Sequence, residues 1–549
     1  MRSLLLVLVS ALSISAQPYI AYRGVVNAAS STTPGLPSGG IARGSTFSTY
    51  GRRLGPASSP ALSFPLSTTL GGVSITITQG TTTVNAIPTF VSAGQINAIM
   101  PSNAPLGLAT MRVTFNNARS NVTPVRIVNA SVGLFSASGA GTGPGIFQNY
   151  IAATQQPINA LNVSATRGQV ITLWGTGLGP VAADNVAPTP GNLPTSLELF
   201  VGGIAAPVQY SGRSPCCAGI DQIVFTVPAD APLGCWVPVY VKTERAVVSN
   251  FVTMAITNGS NSCDEPNTSI AQTLAHGGRS ASFLAARFSI REDVGVPQPI
   301  DATTDVIGGY MVEQKAGPFN FNPLLSLPPA GTCTAYGING NVAQRVPFLA
   351  GMLPTGRGLD PGVLTISGAK GIKTVPSAPP FGIAMSYLGS GLSSFQQLVN
   401  LFLDPGGFKV SGTGGPDIGG FSASIDMPQG LNWTNRDQLT TITRAQGATI
   451  NWTGAASGNS VFISGVGIDV PTNSTGLFVC QAAPGASSFR VPPDILANIA
   501  PARARTNQSI GAIYIGQWPL ASPVTFSASG LDAGALLAAQ VSAKTVVFK

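Results

Sequence analysis

One stretch of the sequence occurs twice, and it decides how the first half of the chain folds. The clearer copy is Cys217–Lys242, CAGIDQIVFTVPADAPLGCWVPVYVK, and the earlier copy is Ser92–Thr114, SAGQINAIMPSNAPLGLATMRVT. Both place Gln-Ile at the start of an apolar run, a proline at its end, and Ala-Pro-Leu-Gly before a second run. Two such runs around a Pro/Gly turn predict paired β-strands. An internal repeat indicates two copies of one structural unit.

The repeat extends on both sides of this stretch. Each copy opens with Arg-Gly and an alternating run that reaches Tyr50 in one copy and Trp174 in the other, followed by Leu-Gly-Pro. Each copy closes with Ser-Asn and a last alternating run, which ends near Ile127 and near Ile256. About six or seven short strands with regular turns are typical of an immunoglobulin-like β-sandwich. We expect Tyr50 and Trp174 to face the cores.

These motifs resemble the Solibacter-type uncharacterised domain of secreted acidobacterial proteins, a family similar to IPT/TIG immunoglobulin-like domains. The resemblance covers roughly residues 24–265, and Cys216, Cys217, Cys235 and Cys263 match the cysteine-bearing form of the family. It implies an all-β fold with tandem immunoglobulin-like (IPT/TIG-like) β-sandwiches, and it implies export. It implies no reaction.

The chain is too long for one domain, and its composition predicts several. From about Ser269 the repeat is absent, yet alternating strands continue, so we expect a larger β-rich C-terminal region. Helices are predicted there only at Ser393–Leu403 and Pro493–Ile499. The expected parts are a signal peptide (1–16), a lead-in (17–40), a first sandwich (41–129), a connector (130–163), a second, disulfide-bearing sandwich (164–257), a linker (258–268), a β-rich domain (269–378) and a β-sandwich-like C-terminal domain (379–549).

The start of the chain predicts a secretory signal. Arg2 precedes the apolar run Leu4–Leu12, and small residues follow before Gln17. This run is too short to span a bilayer, which needs about 20 residues. We therefore expect an exported chain without a transmembrane span, located outside the cell, at its surface or in the periplasm.

The composition is poor in charge. Only 9% of the residues are charged, 44% are hydrophobic, and the net charge is +8. The basic residues are dispersed rather than clustered, whereas a nucleic-acid partner requires a basic patch or stripe. We expect no nucleic-acid partner.

Six cysteines in an exported chain predict disulfides. They are Cys216, Cys217, Cys235, Cys263, Cys333 and Cys480. Adjacent cysteines on a strand point to opposite faces, so Cys216 and Cys217 are expected to have different partners. The favoured pairs are Cys217–Cys235, Cys216–Cys263 and Cys333–Cys480. Six cysteines allow about 15 pairings, so the connectivity stays open.

Local motifs for catalysis are weak. His276 begins a His-Gly-Gly but lacks a nucleophile motif, and Ser367 with Lys370 fits S-x-x-K outside a helix. We expect no catalytic residue, no metal site and no cofactor. Trp433 and Trp452 each lie in an Asn-Trp-Thr strand, where tryptophan more often faces a core. The alternative is an exposed platform for sugar rings.

The favoured hypothesis is a non-enzymatic, exported binding or adhesion protein at the cell surface or outside the cell. Its partner would be a polysaccharide or an envelope or extracellular protein. One alternative is an enzyme acting on polysaccharide, with its site in residues 269–549 and the repeats as accessory modules. Another is a structural spacer of the cell envelope.

Overall fold

The computed structural model describes residues 17–263, 277–292, 300–315, 317, 319, 321, 326–339, 356–378, 383–392, 401–471, 474–503, 505–506, 509–518 and 524–549. These residues form an all-β protein in which two tandem β-sandwiches precede a larger β-rich region. The predicted signal peptide, residues 264–268 of the expected linker, and residues 393–400 of one predicted helix lie outside them. No helix in the described ranges is long and apolar enough to cross a membrane.

The first sandwich contains the first copy of the repeat. Its strands are β1 (Tyr19–Asn27), β2 (Ile41–Ala42), β3 (Thr46–Arg52), β4 (Thr69–Leu70), β5 (Val73–Gln79), β6 (Thr82–Asn85), β7 (Ile87–Val91), β8 (Gln95–Ile99), β9 (Gly107–Phe115), β10 (Ala118–Arg119) and β11 (Thr123–Val128). Sheet 1 has the order β1-β3-β8-β7, and sheet 2 has the order β2-β11-β9-β5-β4, with β6 beside β5 and β10 beside β9. The duplicated stretch forms β8 and β9, which lie in different sheets. The strand pairing predicted around its Pro/Gly turn is therefore wrong, because the chain crosses there from one sheet of the sandwich to the other.

Two expectations for this sandwich need correction. The lead-in contains β1, which pairs with β3, so the sandwich already begins at Tyr19. Tyr50 is 39% exposed and does not belong to the core. Successive residues of a strand point to opposite faces. Since Phe47 on the same strand is fully buried, Tyr50, three residues later, faces outward.

The second sandwich repeats this architecture. Its strands are β12 (Gly133–Leu134), β13 (Phe147–Asn149), β14 (Ala165–Thr166), β15 (Val170–Thr176), β16 (Gly191–Asn192), β17 (Leu197–Val201), β18 (Ile204–Ala206), β19 (Val208–Arg213), β20 (Asp221–Thr226), β21 (Gly234–Thr243), β22 (Val247–Val248) and β23 (Val252–Thr257). Sheet 3 has the order β12-β15-β20-β19-β16, with β13 also on β15, and sheet 4 has the order β14-β23-β21-β17-β18, with β22 on β21. The expected connector supplies β12 and β13, so it belongs to this sandwich. Trp174 is half-buried rather than core, because Leu173 beside it faces inward.

Two neighbouring strands of sheet 4, β21 and β23, are buried on both faces, unlike β9 of sheet 2. Every residue of β23 and all but Lys242 of β21 are buried, whereas residues of β9 alternate between buried and exposed. On β21, Val239 and Val241 face the sandwich core, while Trp236 and Tyr240 pack against the third region. The second sandwich is therefore docked on the C-terminal region through β21, the second strand of its duplicated stretch.

The third region is built on one long sheet. Its strands are β24 (Gly278–Glu292), β25 (Ile300–Gln314), β26 (Cys333–Asn339), β27 (Arg357–Gly358), β28 (Leu364–Gly368), β29 (Gly371–Val375), β30 (Ser377–Ala378), β31 (Ile383–Leu392), β32 (Gly406–Gly412), β33 (Phe421–Met427), β34 (Asn432–Trp433), β35 (Thr441–Ile442), β36 (Ala448–Thr453), β37 (Ser460–Asp469), β38 (Ser474–Gln481), β39 (Ser488–Val491), β40 (Arg505–Thr506), β41 (Ser509–Trp518), β42 (Val524–Phe526), β43 (Ala533–Thr545) and β44 (Val547–Phe548). Its helical turns are α1 (Pro493–Leu496) and two 3₁₀ turns, Arg436–Gln438 and Arg444–Gln446. The short α1 confirms the helix start predicted at Pro493.

Sheet 5 is the long sheet, in the order β26-β38-β37-β41-β43-β24-β25-β31-β30, with β27, β40 and β42 beside it. Its strands come from both 269–378 and 379–549, so the expected division near 375–380 does not separate two sheets. Sheet 6 (β29-β28-β32-β33) and sheet 7 (β34-β36-β39) pack against sheet 5 through separate apolar clusters. Sheet 8 pairs β35 with β44. The region is thus layered on a shared sheet rather than split into two domains.

The two sandwiches meet through a buried polar contact. The backbone N–H of Thr46 donates to Thr176 Oγ1 at 2.9 Å. The hydroxyls of Thr46 and Thr176 both donate to the carbonyl of Gly219, at 3.1 and 2.6 Å. Both threonines are buried, so these hydrogen bonds hold groups that would be costly to leave unpaired.

Candidate functional site

The outer face of sheet 6 carries rows of hydroxyl groups. One row crosses all four strands, because Thr374 lies opposite Thr365, Thr365 opposite Ser411, and Ser411 opposite Ser422. Neighbouring strands lie about 4.8 Å apart. The row is therefore a regularly spaced line of hydroxyls at the surface, and each hydroxyl is one donor and two acceptors.

A second row runs parallel to the first. Ser367 lies opposite both Ile372 and Lys409, and Lys409 lies opposite Ser424. Lys409 and Ser424 are exposed, and Ser367 is half-buried. Ile372, at the edge of the sheet, is 73% exposed. The second row therefore ends at an apolar side chain, whereas the first ends at Thr374.

Strand alternation explains why the hydroxyls share one face. In β33 every second residue from Phe421 is buried, and the residues between them are exposed. Ile366, Val410 and Ile425 point the other way and join the apolar cluster between sheet 6 and sheet 5. Burial of the inner face fixes the register, because a slip by one residue would bury the hydroxyls.

A shallow cavity of about 460 Å³ lies at one end of this face. Its polar lining includes Ser367, Lys409, Ser424 and Asp426. Lys409 and Asp426 place one cation and one anion beside the hydroxyls, and both side chains are exposed. The volume is within the range of about 300–1,000 Å³ that is usual for ligand sites. Together with the two rows it forms a continuous polar surface, which we call the hydroxyl face.

Only part of the hydroxyl face can be predicted from the sequence. The alternating stretches 362–368 and 421–425 predict strands with Ser and Thr on one side. Their neighbours in the sheet depend on pairings between β28, β32 and β33, which are up to about 60 residues apart in sequence. The face was therefore missed as a site.

The two tryptophans do not form a platform. Trp433 and Trp452 lie opposite each other on β34 and β36, and they are 6% and 1% exposed. Both belong to the cluster between sheet 7 and sheet 5, which also contains Ile463 and Phe478. The core interpretation is confirmed and the sugar-platform alternative is wrong, since their face of sheet 7 is covered by the long sheet.

One of the three expected disulfides is confirmed. Cys333 and Cys480 are directly opposite on β26 and β38 and are bonded. The other two pairs are wrong: Cys216 is bonded to Cys217, and Cys235 to Cys263.

The reason is the location of Cys216 and Cys217. They lie in the loop between β19 and β20, so the rule for strand residues does not apply to them. Cys235 belongs to the same buried cluster as Trp236 and is bonded to Cys263 of the linker. A hydrogen bond from the N–H of Cys263 to the carbonyl of Leu161 holds the linker there.

The second sandwich contains a buried ion pair and a second cavity. Arg213 Nη1 lies 2.8 Å from Asp221 Oδ1, and the side chains are 4% and 1% exposed. The N–H groups of Gly177 and Leu178 donate to Asp221 Oδ2. Burial raises the pKa of Asp221 to about 6, against the lowering effects of Arg213 and of the two backbone donors. In the first repeat Gly94 occupies the position of Asp221.

Arg213 also lines the second cavity. This space of about 470 Å³ lies between residues 180–193 and the loop at Ala218 and Gly219. Its wall is anchored to the first sandwich, because Asp184 accepts hydrogen bonds from the N–H and the hydroxyl of Ser102, both at 2.7 Å. The lining residues all belong to the second sandwich, so the cavity lies within that sandwich and beside its contact with the first.

Several carboxylates of the third region lie beside two arginines, Arg279 and Arg357. Arg357 donates to Asp417 Oδ1 at 2.8 Å, and the Asp360 N–H donates to Asp417 Oδ2 at 3.0 Å. The Arg279 N–H donates to Asp532 Oδ2 at 2.7 Å. Arg357 lowers the pKa of Asp417. A general acid of a glycosidase requires a raised pKa, so this cluster is better suited to connecting loops.

The other sequence motifs show no catalytic geometry. Ser367 lies in β28, and Lys370, in the turn after it, forms an ion pair with Asp404 at 2.7 Å. His276 lies outside the described residues. Across the described ranges, no group of three His, Cys, Asp or Glu side chains could hold a metal ion.

Comparison with known proteins gives only distant similarity. No family model and no curated protein matches the chain. A similar solved structure is SGBP-B from a complex xyloglucan utilization locus in Bacteroides uniformis, at 11% identity over 68% of this chain and 86% of that one, with a TM-score of 0.15. Another is SGBP-B of the mixed-linkage glucan utilization locus of Bacteroides ovatus, in complex with a mixed-linkage heptasaccharide, at 11% identity over 87% of this chain and 93% of that one, with a TM-score of 0.13.

The extracellular region of plexin A4 is similar at 14% identity over 45% of this chain, with a TM-score of 0.15. This chain spans only 18% of the plexin. At such identities and scores, none of the three structures carries an argument about ligand or activity.

Proposed function

We propose that this chain is an exported, non-enzymatic binding or adhesion protein, and that its ligand is an extracellular polysaccharide held on the hydroxyl face of sheet 6. The observation that carries the proposal is the row formed by Thr374, Thr365, Ser411 and Ser422 beside the cavity at Lys409. Sugar hydroxyls both donate and accept hydrogen bonds, and serine and threonine side chains match them in both roles.

The shape of the face suits a chain-like ligand. The rows cross the strands at a regular spacing, so successive sugar units can meet equivalent groups. Centres of protein interfaces are enriched in aromatic side chains and depleted in serine. The hydroxyl face has the opposite composition, which favours a polysaccharide over a protein partner.

The rest of the fold supports display of this face. The second sandwich is docked on the third region through Trp236 and Tyr240, and on the first sandwich through Thr46 and Thr176. Three disulfides cross-link the described chain. Disulfides persist in oxidising compartments outside the cytosol, in keeping with export.

The proposal is tested by affinity electrophoresis of the full chain in gels that contain soluble β-glucans, α-glucans, xylans or anionic polysaccharides. The variant Ser424→Tyr places a ring beside Lys409 in the lining of the cavity and is expected to weaken binding at least about tenfold, a loss of roughly 1.4 kcal/mol. Thr110→Tyr, at an exposed position on the outer face of sheet 2, is the matched control and is expected to bind normally. Failure of every polysaccharide to retard the chain, or equal retardation of Ser424→Tyr, would contradict the proposal.

A further inference from the structure

The three disulfides differ in their access to solvent. Cys216 and Cys217 are both exposed. The remaining four cysteines are between 0% and 7% exposed: Cys235 2%, Cys263 5%, Cys333 7% and Cys480 0%. Thiol–disulfide exchange requires a thiolate to reach a sulfur atom, and exposed disulfides are the labile ones. Only the Cys216–Cys217 bond meets this requirement among the three.

We propose that Cys216–Cys217 is a thiol-exchange site that takes a low-molecular-weight thiol, and that its opening loosens the contact between the two sandwiches. This inference does not depend on the polysaccharide proposal, because it concerns another part of the molecule. It assigns a chemical role to a loop that the binding face does not use.

The reaction consists of two exchanges. The thiolate of a small thiol attacks one sulfur, the Cys216–Cys217 bond breaks, and its electron pair leaves on the other cysteine, which takes up a proton. The product is a mixed disulfide between the small thiol and one cysteine. A second thiolate then attacks the mixed disulfide, which releases the second cysteine and the oxidised form of the small thiol. Two molecules of thiol supply the two electrons.

The loop also connects the two sandwiches. Ala218, next to Cys217, packs against Leu66, Ile87 and Ile99 of the first sandwich. The carbonyl of Gly219 accepts the hydroxyls of Thr46 and Thr176, one from each sandwich. The Cys216–Cys217 bond restricts the backbone conformation immediately before Ala218 and Gly219, the two residues that make these contacts.

The backbone at Gly219 is packed closely against Thr46 of the first sandwich. Its φ of +74° favours glycine, and an added Cβ would lie 2.5 Å from Thr46 Oγ1. A change in the loop at Cys217 is therefore expected to shift the carbonyl that both threonines share.

Comparison of the two repeats indicates that the loop is an addition to the fold. In the first repeat, residues 92–94 connect β7 to β8. In the second repeat, residues 214–220 connect the equivalent strands β19 and β20 and include both cysteines. Because a short turn is enough to join these strands, the longer loop serves something other than the sandwich itself.

The labelling experiment uses the full oxidised chain. It is incubated with increasing reduced glutathione at neutral pH, quenched with acid and alkylated, and its cysteines are mapped by mass spectrometry. Cys216 and Cys217 are expected to be alkylated at a glutathione concentration at least about tenfold below that needed for the other four. Simultaneous labelling of Cys235 or Cys480, or no labelling before the chain unfolds, would overturn the exchange site.

Hydrogen exchange tests the coupling to the contact. Reduction is expected to speed exchange of the Thr46 amide, which donates to Thr176, by at least about tenfold. The Ala255 amide, which donates to Asn159 within the second sandwich, is the control and is expected to keep its rate. The double variant Cys216→Ser, Cys217→Ser is expected to exchange quickly at Thr46 with or without glutathione. Selective labelling with an unchanged rate at Thr46 would overturn the coupling.

Discussion

The phenol of Tyr240 donates a hydrogen bond to Asp494 Oδ2, 3.3 Å away, and so links β21 of the second sandwich to α1 of the third region. Lys242 on the same strand forms an ion pair with Asp494 at 3.1 Å. The Tyr240 ring stacks between Phe200 and Phe251, with ring centroids 4.9 and 4.5 Å away. β21, the second strand of the duplicated stretch, therefore serves as an interface as well as a member of sheet 4.

We predict that Tyr240→Ala destabilises the chain by about 3–5 kcal/mol, as is usual when a buried aromatic side chain is truncated. Tyr240→Phe keeps the ring and is expected to cost only about 1 kcal/mol, the value of one hydrogen bond. Urea unfolding followed by fluorescence measures both. Equal losses for the two variants would show that the ring packing is not the main contribution.

A second prediction concerns Asp305, which is fully buried in sheet 5. It accepts hydrogen bonds from Arg287 at 2.7 and 2.9 Å and from the N–H groups of Phe402 and Leu403 at 2.6 and 2.7 Å. Asp305→Ala removes the buried partner of Arg287, which keeps only the half-exposed Asp404 at 3.0 Å, and leaves the N–H groups of Phe402 and Leu403 without their acceptor. The expected cost is about 3–5 kcal/mol. The free energy of unfolding, from urea titration, checks this.

The matched control for Asp305 is Asp301, an aspartate on the same strand. Asp301 pairs with Arg291 at 3.1 Å, and the two side chains are 43% and 26% exposed. Water screens such a pair, so Asp301→Ala is expected to cost less than about 1 kcal/mol. A loss as large as that of Asp305→Ala would refute the argument from burial.

The third prediction is a pH dependence that comes from Asp221. Burial raises the pKa of Asp221 from 3.8 to about 6. Between these two pH values, Asp221 is therefore protonated in the folded chain and ionised in the unfolded chain. Stability from this group is fully present below pH 3.8 and falls as the pH rises to about 6. The total fall is roughly 3 kcal/mol, since one pKa unit corresponds to about 1.4 kcal/mol.

The measurement compares the unaltered chain with Asp221→Asn between pH 4 and pH 7. The variant lacks the titrating group, so the stability of the unaltered chain relative to the variant is expected to fall across this range. The measured quantity is the slope of this stability difference against pH. Replacement of the Asp221 side chain beside Arg213 also changes stability, but by an amount that does not depend on pH in this range. A flat difference would mean that Arg213 keeps Asp221 ionised throughout.

The fourth prediction concerns the Cys333–Cys480 disulfide, which closes a loop of 147 residues. Loss of this cross-link in the double variant Cys333→Ala, Cys480→Ala increases the chain entropy of the unfolded state and is expected to cost about 5 kcal/mol. Urea unfolding without reductant measures the effect. The double variant Cys216→Ala, Cys217→Ala removes the bond between adjacent residues and is expected to cost far less. A larger loss from that pair would contradict the entropic argument.

Much of the fold could be predicted from local patterns. The repeat of Gln-Ile, Pro and Ala-Pro-Leu-Gly identified two copies of one sandwich, because turn residues and strand alternation act over a few neighbouring residues. The same alternation could have corrected Tyr50, which lies three positions from the buried Phe47.

The candidate site could be predicted only in part. Alternation identified the strands that contain Thr365 and Ser422, and it puts their hydroxyls on the side opposite the apolar residues. It does not say that β32 lies between these strands, which brings Ser411 into line with both. That order results from which apolar faces pack together on sheet 5.

The sequence by itself determined the all-β class, the two repeats and the strand alternation, since turn chemistry and side-chain period are local properties. Only the tertiary structure decided that Cys216 is bonded to Cys217, that Trp433 and Trp452 are core residues, and that β21 of the second copy is buried on both faces. Each of these depends on contacts between segments far apart in the chain. The free energy of such contacts comes from burying surfaces together, and one segment alone does not show which surface will cover it.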